Sequence, residues 1–471
     1  MRIMKVALLA VSLLLVFLFC GCTPPADIAW KCTTPKDPWQ DMPPLHLEKS
    51  SLMPDVSIDT SALGQEIAGF GGAFNEKGWI ALSVLSLAQR DAVMQALFDP
   101  VGGAKFNICR VPIGASDYAV SRYTLDETKD DFGMQDFSIE RDKRDLIPYI
   151  KAAIAYAPEL KVWGSAWTPP TWMNTNGDYD GGSMKDDPAV YRAYALYLAR
   201  FVEAYRAEGI GLFVVAVQNE PRIARHYPSC LWSPAQFGTF IRDYMGPLFR
   251  QRDVKASIML GTIQDANFSH YPALLDDPDI NQYVSIVGYQ YDGLLSVPPT
   301  RRLYPEKQIC QTETVCGNAF GRPGYDPYRP QNDWSYGIYT WGRVKAYFDA
   351  GVNAYMLWNM VLDEEGKNID SQAPWPQNAA ITVDQDTKKV TYTPMFYAFK
   401  HFSAYVQPGA RYNYSGDKDY VISFLNPDGS LVIVVQNPSS DPRHLSIRLE
   451  ADTIGFELPG LSWNTLVVPV A

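Results

Sequence analysis

The sequence predicts an α/β fold in which a (β/α)8 TIM barrel carries a β-sandwich side domain formed by N- and C-terminal segments. Eight short apolar or β-branched segments recur at fairly even intervals, and most are followed by a helical pattern. This alternation is typical of parallel strands joined by helical crossovers. Beyond Pro408 the pattern changes to short alternating segments between turn residues, which indicates antiparallel strands. The chain has 471 residues, enough for a barrel of about 250 residues or more and a smaller domain.

The predicted barrel strands are short apolar runs of the kind that strands buried in a parallel sheet show. They cover residues 67–74, 106–112, 161–167, 212–219, 257–261, 284–291, 308–314 and 354–359. Helical patterns follow several of them, at 87–98, 142–156, 188–207, 234–249 and 334–349. The patterns after the fifth and sixth strands are weak, yet eight such units favour a closed barrel. The antiparallel strands are expected at 420–425, 431–436, 444–449 and 461–468.

Changes of pattern along the chain set the predicted domain boundaries. The predicted segments are a lipoprotein-type signal peptide at 1–22, a proline-rich tether at 23–44, one or more strands of the side sandwich at 45–65, the catalytic barrel at 66–404 and the C-terminal sandwich at 405–471. The tether is expected because six prolines lie between Pro24 and Pro44 with little apolar periodicity.

The N-terminus has the pattern of an export signal. Arg2 and Lys5 precede an uncharged apolar run over 6–19, which at 14 residues is short for a membrane span and right for a signal-peptide core. Gly21 and Cys22 follow, and the segment resembles a bacterial lipoprotein signal in which Cys22 becomes the lipidated first residue. We therefore expect an exported protein anchored to a membrane and facing the periplasm or the cell exterior, with plain secretion as the alternative.

The remaining cysteines indicate neither a metal site nor a disulfide framework. Cys32, Cys109, Cys230, Cys310 and Cys316 are scattered without Cys-x-x-Cys spacing. A pairing of Cys310 with Cys316 after export stays open beside the interpretation of isolated buried thiols.

Charge and missing motifs exclude several classes of function. Lys and Arg number 41 against 52 acidic residues, so the net charge of −11 has the wrong sign for a nucleic-acid partner. The sequence contains no Gly-x-Ser-x-Gly and no His-Glu-x-x-His motif, which argues against a serine hydrolase and a zinc hydrolase. The glycine-rich segment at 69–74 lacks the lysine of a phosphate-binding loop. No organic cofactor and no catalytic metal are expected.

Two glutamates stand at predicted strand ends, where barrel enzymes carry their active sites. Glu220 follows the fourth strand, which Pro221 ends, and Glu313 lies at the end of the seventh. Glycoside hydrolysis needs two carboxyl groups, one to protonate the leaving oxygen and one to attack or to activate water. Each glutamate alone has an ordinary alternative as a solvated loop residue or half of an ion pair, but their joint placement favours a catalytic pair. The separation of the two carboxyl groups would distinguish retention from inversion.

Aromatic residues near the same strand ends indicate a sugar site, because sugar rings stack on indole and phenol rings. We assign Trp167 and Trp358 to this site and Trp163 to the barrel core. Asp117, just beyond the second strand, is placed to bind ring hydroxyls or to cap the following turn.

Motifs along most of the chain resemble those of glycoside hydrolase family 30, the family of glucosylceramidases and β-1,6-glucanases. They are Gly-Phe-Gly-Gly-Ala-Phe at 69–74, Cys-Arg-Val-Pro-Ile-Gly at 109–114, Ser-Asp-Tyr at 116–118, Ser-Ala-Trp-Thr-Pro-Pro-Thr-Trp-Met-Asn at 165–174, Val-Gln-Asn-Glu-Pro at 217–221, Gln-Thr-Glu-Thr at 311–314, Leu-Trp-Asn-Met-Val-Leu-Asp at 357–363 and Gln-Pro-Gly-Ala at 407–410.

The resemblance implies a retaining mechanism with Glu220 as acid/base and Glu313 as nucleophile. It further implies that Asn219 holds the sugar's 2-hydroxyl and that Arg110 supports the nucleophile. The other positions that match the family's sugar subsite are Asp117, Trp167, Tyr291, Trp358 and Asn378. The implied substrate is a carbohydrate or glycolipid, first a β-glucoside as for a glucosylceramidase of sphingolipid metabolism, then β-1,6-glucan, then a β-xyloside or β-fucoside.

The sequence departs from the family pattern at two places near the expected site. Many members have His-x-Tyr where this chain has Tyr289-Gln290-Tyr291, and Thr-Asp where it has Asn75-Glu76. Both departures affect the expected substrate more than the reaction. The main rival from another class is a glycan-binding surface lipoprotein without catalysis, which would need the aromatic residues but not both glutamates.

Overall fold

The structure is a computed structural model of the chain. It describes residues 27–314, 317–318, 324–372, 376–414 and 418–469. The predicted signal peptide at 1–22, the lipidation residue Cys22 and one partner of the open disulfide pairing, Cys316, lie outside these residues. Within them, every helix is too short or too polar to cross a membrane.

Between residue 27 and the barrel, the structure has five strands: β1 (Ile28–Thr33), β2 (Gln40–Leu45), β3 (Glu48–Lys49), β4 (Val56–Ile58) and β5 (Leu63–Glu66). The interpretation of residues 23–44 as a tether is therefore wrong over β1 and β2, which pair with each other as an antiparallel hairpin. Ile28 and Cys32 of β1 are buried in the sandwich core. The prolines had indicated a tether rather than a strand. β2 can contain Pro43 and Pro44 because it is the edge strand of its sheet, where they interrupt no inner ladder of hydrogen bonds.

Eight parallel strands close into a barrel in chain order, as predicted. They are β6 (Gly69–Ala73), β7 (Ile108–Ile113), β8 (Lys161–Ala166), β9 (Leu212–Ala216), β10 (Ser257–Ile263), β11 (Val284–Gln290), β12 (Gln308–Glu313) and β13 (Ala354–Asn359). The strands are almost wholly buried because the helices cover their outer face and side chains fill the barrel interior. A small sheet follows, made of β14 (Val361–Asp363), β15 (Ile381–Val383) and β16 (Val390–Tyr392).

The helices lie mainly between the barrel strands. They are α1 (Glu76–Ser83), α2 (Leu87–Phe98), α3 (Leu146–Tyr156), α4 (Pro188–Ala207), α5 (Pro234–Thr239), α6 (Gly246–Gln251), α7 (Pro278–Asn281), α8 (Val297–Leu303), α9 (Trp334–Ala350) and α10 (Pro394–Ser403). A π-helical turn, Phe240–Met245, joins α5 to α6. The weak helical patterns after the fifth and sixth strands correspond to α7 and α8, each preceded by a 3-10 helix.

The side domain is a β-sandwich built from both ends of the described chain, as predicted. Its C-terminal strands are β17 (Arg411–Asn413), β18 (Val421–Leu425), β19 (Leu431–Asn437), β20 (Arg443–Leu449), β21 (Asp452–Leu458) and β22 (Ser462–Val468). One sheet has the order β2-β1-β22-β19-β18-β17-β5 and the other β3-β21-β20-β4.

Aromatic and hydrogen-bonding contacts join the sandwich to the barrel helices. The ring of Trp334 on α9 stacks on that of Trp463 on β22, with 3.9 Å between the ring centroids. On α10, the buried His401 lies 2.8 Å from the Thr465 hydroxyl and 2.9 Å from the Thr33 hydroxyl. Burial lowers the pKa of His401 to about 3, so this link between the domains is a neutral imidazole.

A buried carboxyl group behind the barrel wall makes the stability of the fold depend on pH. Asp142 is fully buried and accepts hydrogen bonds from the hydroxyls of Tyr123 (2.8 Å) and Tyr205 (2.7 Å). Burial raises the pKa of Asp142 to about 7, although both tyrosine hydrogen bonds oppose the shift. This folded-state pKa exceeds the unfolded one, so the protonated Asp142 contributes to the free energy of unfolding. That contribution is fully present below the unfolded pKa and is lost as the pH rises through about 7.

We expect Asp142→Asn to reduce the loss of stability between pH 5 and pH 8. The amide stays neutral, so the variant avoids a cost on the order of 2–4 kcal/mol for ionising the buried carboxyl. Melting temperatures across this range measure the effect, with the exposed Asp386→Asn as the matched control. Parallel pH dependences in wild type and Asp142→Asn would refute this prediction.

Candidate active site

Glu220 lies four residues beyond the end of β9, in a turn held by hydrogen bonds to the neighbouring strand. Its backbone N–H donates to the carbonyl of Thr262 on β10 (3.1 Å), and its own carbonyl accepts from Ile223 N–H (2.9 Å). The backbone φ of Glu220 is +45°, a left-handed conformation that costs free energy for a residue with a Cβ and persists only where surrounding contacts impose it. Only 7% of the residue is exposed. The turn therefore presents a carboxyl group at the barrel mouth in a largely water-free position.

Glu313 ends β12, and two donors hold its carboxylate. Arg110 Nη1 on β7 donates to Oε2 at 2.6 Å, and the Tyr291 hydroxyl donates to Oε1 at 2.5 Å. Arg110 is fully buried and Glu313 is 6% exposed, so little water competes for these bonds. The buried guanidinium thus places a positive charge in direct contact with the Glu313 carboxylate.

Arg110 also links Glu313 to the neighbour of Glu220. Its Nη2 donates to Asn219 Oδ1 at 2.7 Å and to the Ser165 hydroxyl at 3.0 Å. Asn219 Oδ1 accepts a second bond from the Thr262 hydroxyl at 3.0 Å. These bonds fix the amide of Asn219 with its oxygen toward the protein, which leaves Nδ2 as a donor without a protein acceptor among the described residues.

The two glutamates have unequal electrostatic environments. Burial, and after it the negative charge of Glu313, raise the pKa of Glu220 to about 7, although the charge of Arg225 and the amide of Gln290 act against the shift. Glu220 is therefore protonated over much of the acidic and neutral range, while Glu313 is paired with a buried guanidinium. Carboxyl groups whose environments differ in this way are suited to opposite roles in acid–base chemistry.

The aromatic residues assigned to the site lie beside Arg110. Trp167 and Trp358 stack on each other with 5.2 Å between ring centroids, and the guanidinium carbon lies 4.2 Å and 5.4 Å from their rings. They pack in one apolar cluster with Tyr118. Trp163 is fully buried in a separate cluster in the barrel interior.

Asp117 and Asn378 flank this centre. Burial is the main reason that the pKa of Asp117 lies well above its usual range, and the negative charges of Glu313 and Glu220 raise it further. The Asn378 amide donates to the backbone carbonyl of Gln331, and the adjacent Ala379 packs with the two tryptophans.

Two further residues of this centre escape sequence reasoning. Gln290, the last residue of β11, is fully buried, and its Nε2 lies 3.5 Å from Asn219 Oδ1. Tyr227 packs against the tryptophan cluster, and after burial the nearby charges of Glu220 and Asp117 raise its pKa. The position of Gln290 at a strand end is the signal that points to it, whereas Tyr227 lies in a loop with no such signal.

Asn75 and Glu76, which stand where many family members have Thr-Asp, have structural roles in this chain. The Asn75 side chain accepts from Gly78 N–H at 2.6 Å and so caps α1. Both Glu76 oxygens bind the guanidinium of Arg141, at 2.9 and 3.0 Å, and one accepts from Val120 N–H. The Glu76 carboxylate therefore joins three segments around the barrel mouth.

Taken together, the barrel, the two buried glutamates at its mouth and the tryptophans beside them define a glycoside hydrolase. The model of the glycosyl hydrolase family 30 TIM-barrel domain matches residues 67–406, and that of the family 30 beta sandwich domain matches residues 413–466. The chain belongs to glycosyl hydrolase family 30 and is an O-glycosyl hydrolase that acts on β-glycosides, as the resemblance in the sequence predicts.

Named relatives include two kinds of hydrolase. The lysosomal acid glucosylceramidase of Mus musculus is 28% identical over 430 residues, which cover 85% of this chain and 81% of that protein. The endo-1,6-beta-D-glucanase BGN16.3 of Trichoderma harzianum is 24% identical over 448 residues, covering 88% and 87%. The crystal structure of SrfJ from Salmonella typhimurium superposes with a TM-score of 0.83 at 22% identity, covering 95% of this chain and all of that one. The likeness to SrfJ is a likeness of fold alone.

Proposed function

We propose that the protein is a retaining β-glycosidase in which Glu313 is the nucleophile and Glu220 the general acid/base. The unequal environments of the two glutamates carry this assignment. Arg110 and Tyr291 hold the carboxylate of Glu313 in one orientation, as a nucleophile requires. Burial raises the pKa of Glu220, as a group that must carry a proton to the leaving oxygen requires.

In the first half-reaction, a Glu313 oxygen attacks the anomeric carbon and the bond to the leaving oxygen breaks. Glu220 gives its proton to that oxygen, so the aglycone leaves as a neutral alcohol. The Tyr291 hydroxyl and Arg110 hold the attacking carboxylate, and the buried guanidinium balances its charge before the bond forms. The product of this step is a covalent glycosyl ester of Glu313.

In the second half-reaction, Glu220 acts as a base toward water. It has lost its proton and the negative charge of Glu313 has been consumed in the ester, so one of the causes that raise the pKa of Glu220 is removed. The ionised Glu220 takes a proton from the attacking water, and the sugar leaves with its original anomeric configuration.

The polar and aromatic residues around the glutamates form the proposed sugar subsite. Asn219 Nδ2 is the donor for the 2-hydroxyl, since its oxygen is held by Arg110 and Thr262. The remaining members of the subsite are Asp117, Trp167, Tyr291, Trp358 and Asn378. A buried cluster of this composition offers ring faces to the sugar and acceptors to its hydroxyls.

We propose β-glucosides as the substrates, either a glycolipid such as glucosylceramide, which would place the enzyme in sphingolipid metabolism, or a β-1,6-glucan. The support is the pair of relatives, one named a glucosylceramidase and the other an endo-1,6-glucanase. A glycan-binding protein without catalysis would have no need for a buried glutamate with a raised pKa beside a second one held by arginine.

Hydrolysis of a panel of aryl β-glycosides by the purified enzyme tests this function. We expect release from the β-glucoside, with the first-formed sugar seen by NMR as the β-anomer, and no release from the matched α-glucoside. A first-formed α-anomer would exclude the retaining mechanism. If every aryl glycoside stays intact, β-1,6-linked glucan oligosaccharides decide between a polymer-specific enzyme and a protein that only binds glycans.

We also propose that residues 1–22 direct export and that Cys22 becomes the lipidated N-terminus, anchoring the enzyme to a membrane. The support is the apolar run after Arg2 and Lys5 and the Gly21-Cys22 pair. Mass spectrometry of the mature N-terminus tests the proposal. A lipid-modified Cys22 is the expected result, and an unmodified mature N-terminus would indicate plain secretion.

A further inference from the structure

Arg122 connects four segments of the chain at the barrel mouth. It lies in the segment that follows β7, and its Nε lies 2.8 and 2.9 Å from the two carboxylate oxygens of Asp180, in the segment that follows β8. Its Nη2 donates to Asp180 Oδ2 at 2.5 Å and to the His226 carbonyl, beyond β9, at 2.8 Å. The same Nη2 lies 3.4 Å from the carbonyl of Ile369, beyond β14.

The Asp180 end of this contact is itself held in place. Asp180 forms an isolated antiparallel bridge with Pro228, and the N–H of Ser229 donates to the Tyr179 carbonyl at 3.1 Å. The side chains of Arg122 and Asp180 are 27% and 17% exposed. A carboxylate that binds two guanidinium nitrogens fixes the plane of the guanidinium. Asp180 therefore orients Arg122 toward the His226 carbonyl.

The His226 carbonyl connects this contact to the sugar subsite. It accepts hydrogen bonds from Arg122 and from the N–H of Ser371, the latter at 2.9 Å. The carbonyl lies in the planar peptide unit that also contains the nitrogen and Cα of Tyr227, so holding the carbonyl fixes the direction in which Tyr227 leaves the peptide. Tyr227 is half-buried, and its side chain packs against the cluster that contains the two stacked tryptophans.

We propose that Arg122 is a positioning residue that holds the Tyr227 ring against the sugar subsite as one wall of the site. This inference rests on the proposed subsite. A phenol ring offers an apolar face to a sugar, and a ring that is fixed before the sugar arrives avoids the cost of ordering it on binding. A single ion pair near the surface adds little to the stability of a fold. The loss of Arg122 should therefore weaken sugar binding much more than it lowers the melting temperature.

The variant Arg122→Met tests the proposal in the full-length enzyme, because methionine keeps an apolar stem and removes the donors. The probe is an iminosugar of the configuration that the enzyme hydrolyses, used as a competitive inhibitor of aryl glycoside hydrolysis. We expect its inhibition constant and KM to rise about tenfold, with kcat lowered by less than about threefold. The melting temperature should change by less than about 2 °C.

A double-mutant cycle shows whether the effect of Arg122 passes through Tyr227. Tyr227→Ala alone should raise the inhibition constant about tenfold or more, because the ring face is lost. When Arg122→Met is added to Tyr227→Ala, the inhibition constant should rise by less than about twofold, since there is no ring left to position. Two independent contributions would instead multiply.

Two further variants are matched controls. Arg252→Met removes another arginine that binds both oxygens of a carboxylate, that of Glu203, and should leave the inhibition constant unchanged. Arg122→Lys keeps the charge without the planar fork and should give an intermediate rise. Asp180→Asn weakens the hold on Arg122 and should also give a smaller rise, and it takes the place of Arg122→Met if that variant does not fold.

An unchanged inhibition constant in folded Arg122→Met would overturn the proposal, and so would full multiplication of the two effects in the double variant. Failure of the proposed subsite is distinguishable from either result. In that case Asn219→Ala and Trp167→Ala would leave the inhibition constant unchanged in an active enzyme, whatever the Arg122 variants do.

Discussion

Glu313→Gln is expected to abolish hydrolysis, lowering kcat by about 10⁴-fold or more for every aryl glycoside that the enzyme accepts. The amide lacks the negative charge of a carboxylate, and its neutral oxygen is too weak a nucleophile to form a glycosyl ester, so the first half-reaction loses its nucleophile. The effect should be independent of the leaving group, because even an activated aglycone must be displaced by an attacking atom. Initial rates with dinitrophenyl and phenyl glycosides measure it.

Loss of the fold must be separated from loss of the nucleophile, because Glu313 is the ion-pair partner of the buried Arg110. The Gln oxygen can still accept from Arg110, but leaving a buried guanidinium without a counter-charge costs about 3–5 kcal/mol in comparable sites. Melting temperature and circular dichroism of the variant therefore accompany the kinetics. Glu203→Gln on α4, which removes a surface ion pair with Arg252, is the control for the substitution itself and should keep full activity. More than about a hundredth of wild-type kcat in a folded Glu313→Gln enzyme would assign the nucleophile to another residue.

The barrel and the two glutamates are predictable from the sequence because the signals for them are local. A buried parallel strand is written as a short apolar run, and a polar residue at its end must face the barrel mouth. Glu220 follows a strand of this kind, and Glu313 and Gln290 each end one. Sequence reasoning passed over Gln290 because an amide carries no charge, and only the closed barrel brings it to Asn219.

The N-terminal hairpin was mispredicted because its stability comes from distant residues. β1 pairs with β22, from Ala29 opposite Val467 to Thr33 opposite Trp463, more than 400 positions away in the chain. Its partner β2 contains Pro43 and Pro44, which are acceptable on a sheet edge and misleading in a local pattern. No window of neighbouring residues contains the information that makes this segment fold.

The electrostatic difference between the two glutamates likewise arises in three dimensions. Arg110 lies on β7, Tyr291 follows β11 and Glu313 ends β12, so the closure of the barrel brings the cation and the phenol to the carboxylate. The sequence shows two equivalent glutamates at strand ends, and the resemblance to a family supplied their roles. The structure adds a physical reason for the assignment, namely that Glu313 has a buried counter-charge and Glu220 is desolvated beside it.

Glu220→Ala should lower activity in a way that depends on the leaving group. With phenyl or alkyl glycosides kcat/KM should fall by about 10²- to 10⁴-fold, since the leaving oxygen no longer receives a proton. With dinitrophenyl glycosides the first half-reaction should proceed at near wild-type rate, because that phenolate leaves unaided. The glycosyl ester on Glu313 then persists, since no base activates water, and mass spectrometry should detect it.

Azide distinguishes the two roles by the product that it forms. In Glu220→Ala, azide needs no base and enters the space left by the side chain, where it attacks the ester from the face that water uses. Release should therefore accelerate and give the β-glycosyl azide, with retained configuration after two displacements. In Glu313→Ala, azide could only replace the missing nucleophile, which requires one displacement and gives the α-azide. A β-azide from Glu220→Ala thus establishes Glu220 as acid/base and Glu313 as nucleophile, whereas a β-azide from Glu313→Ala would reverse the assignment.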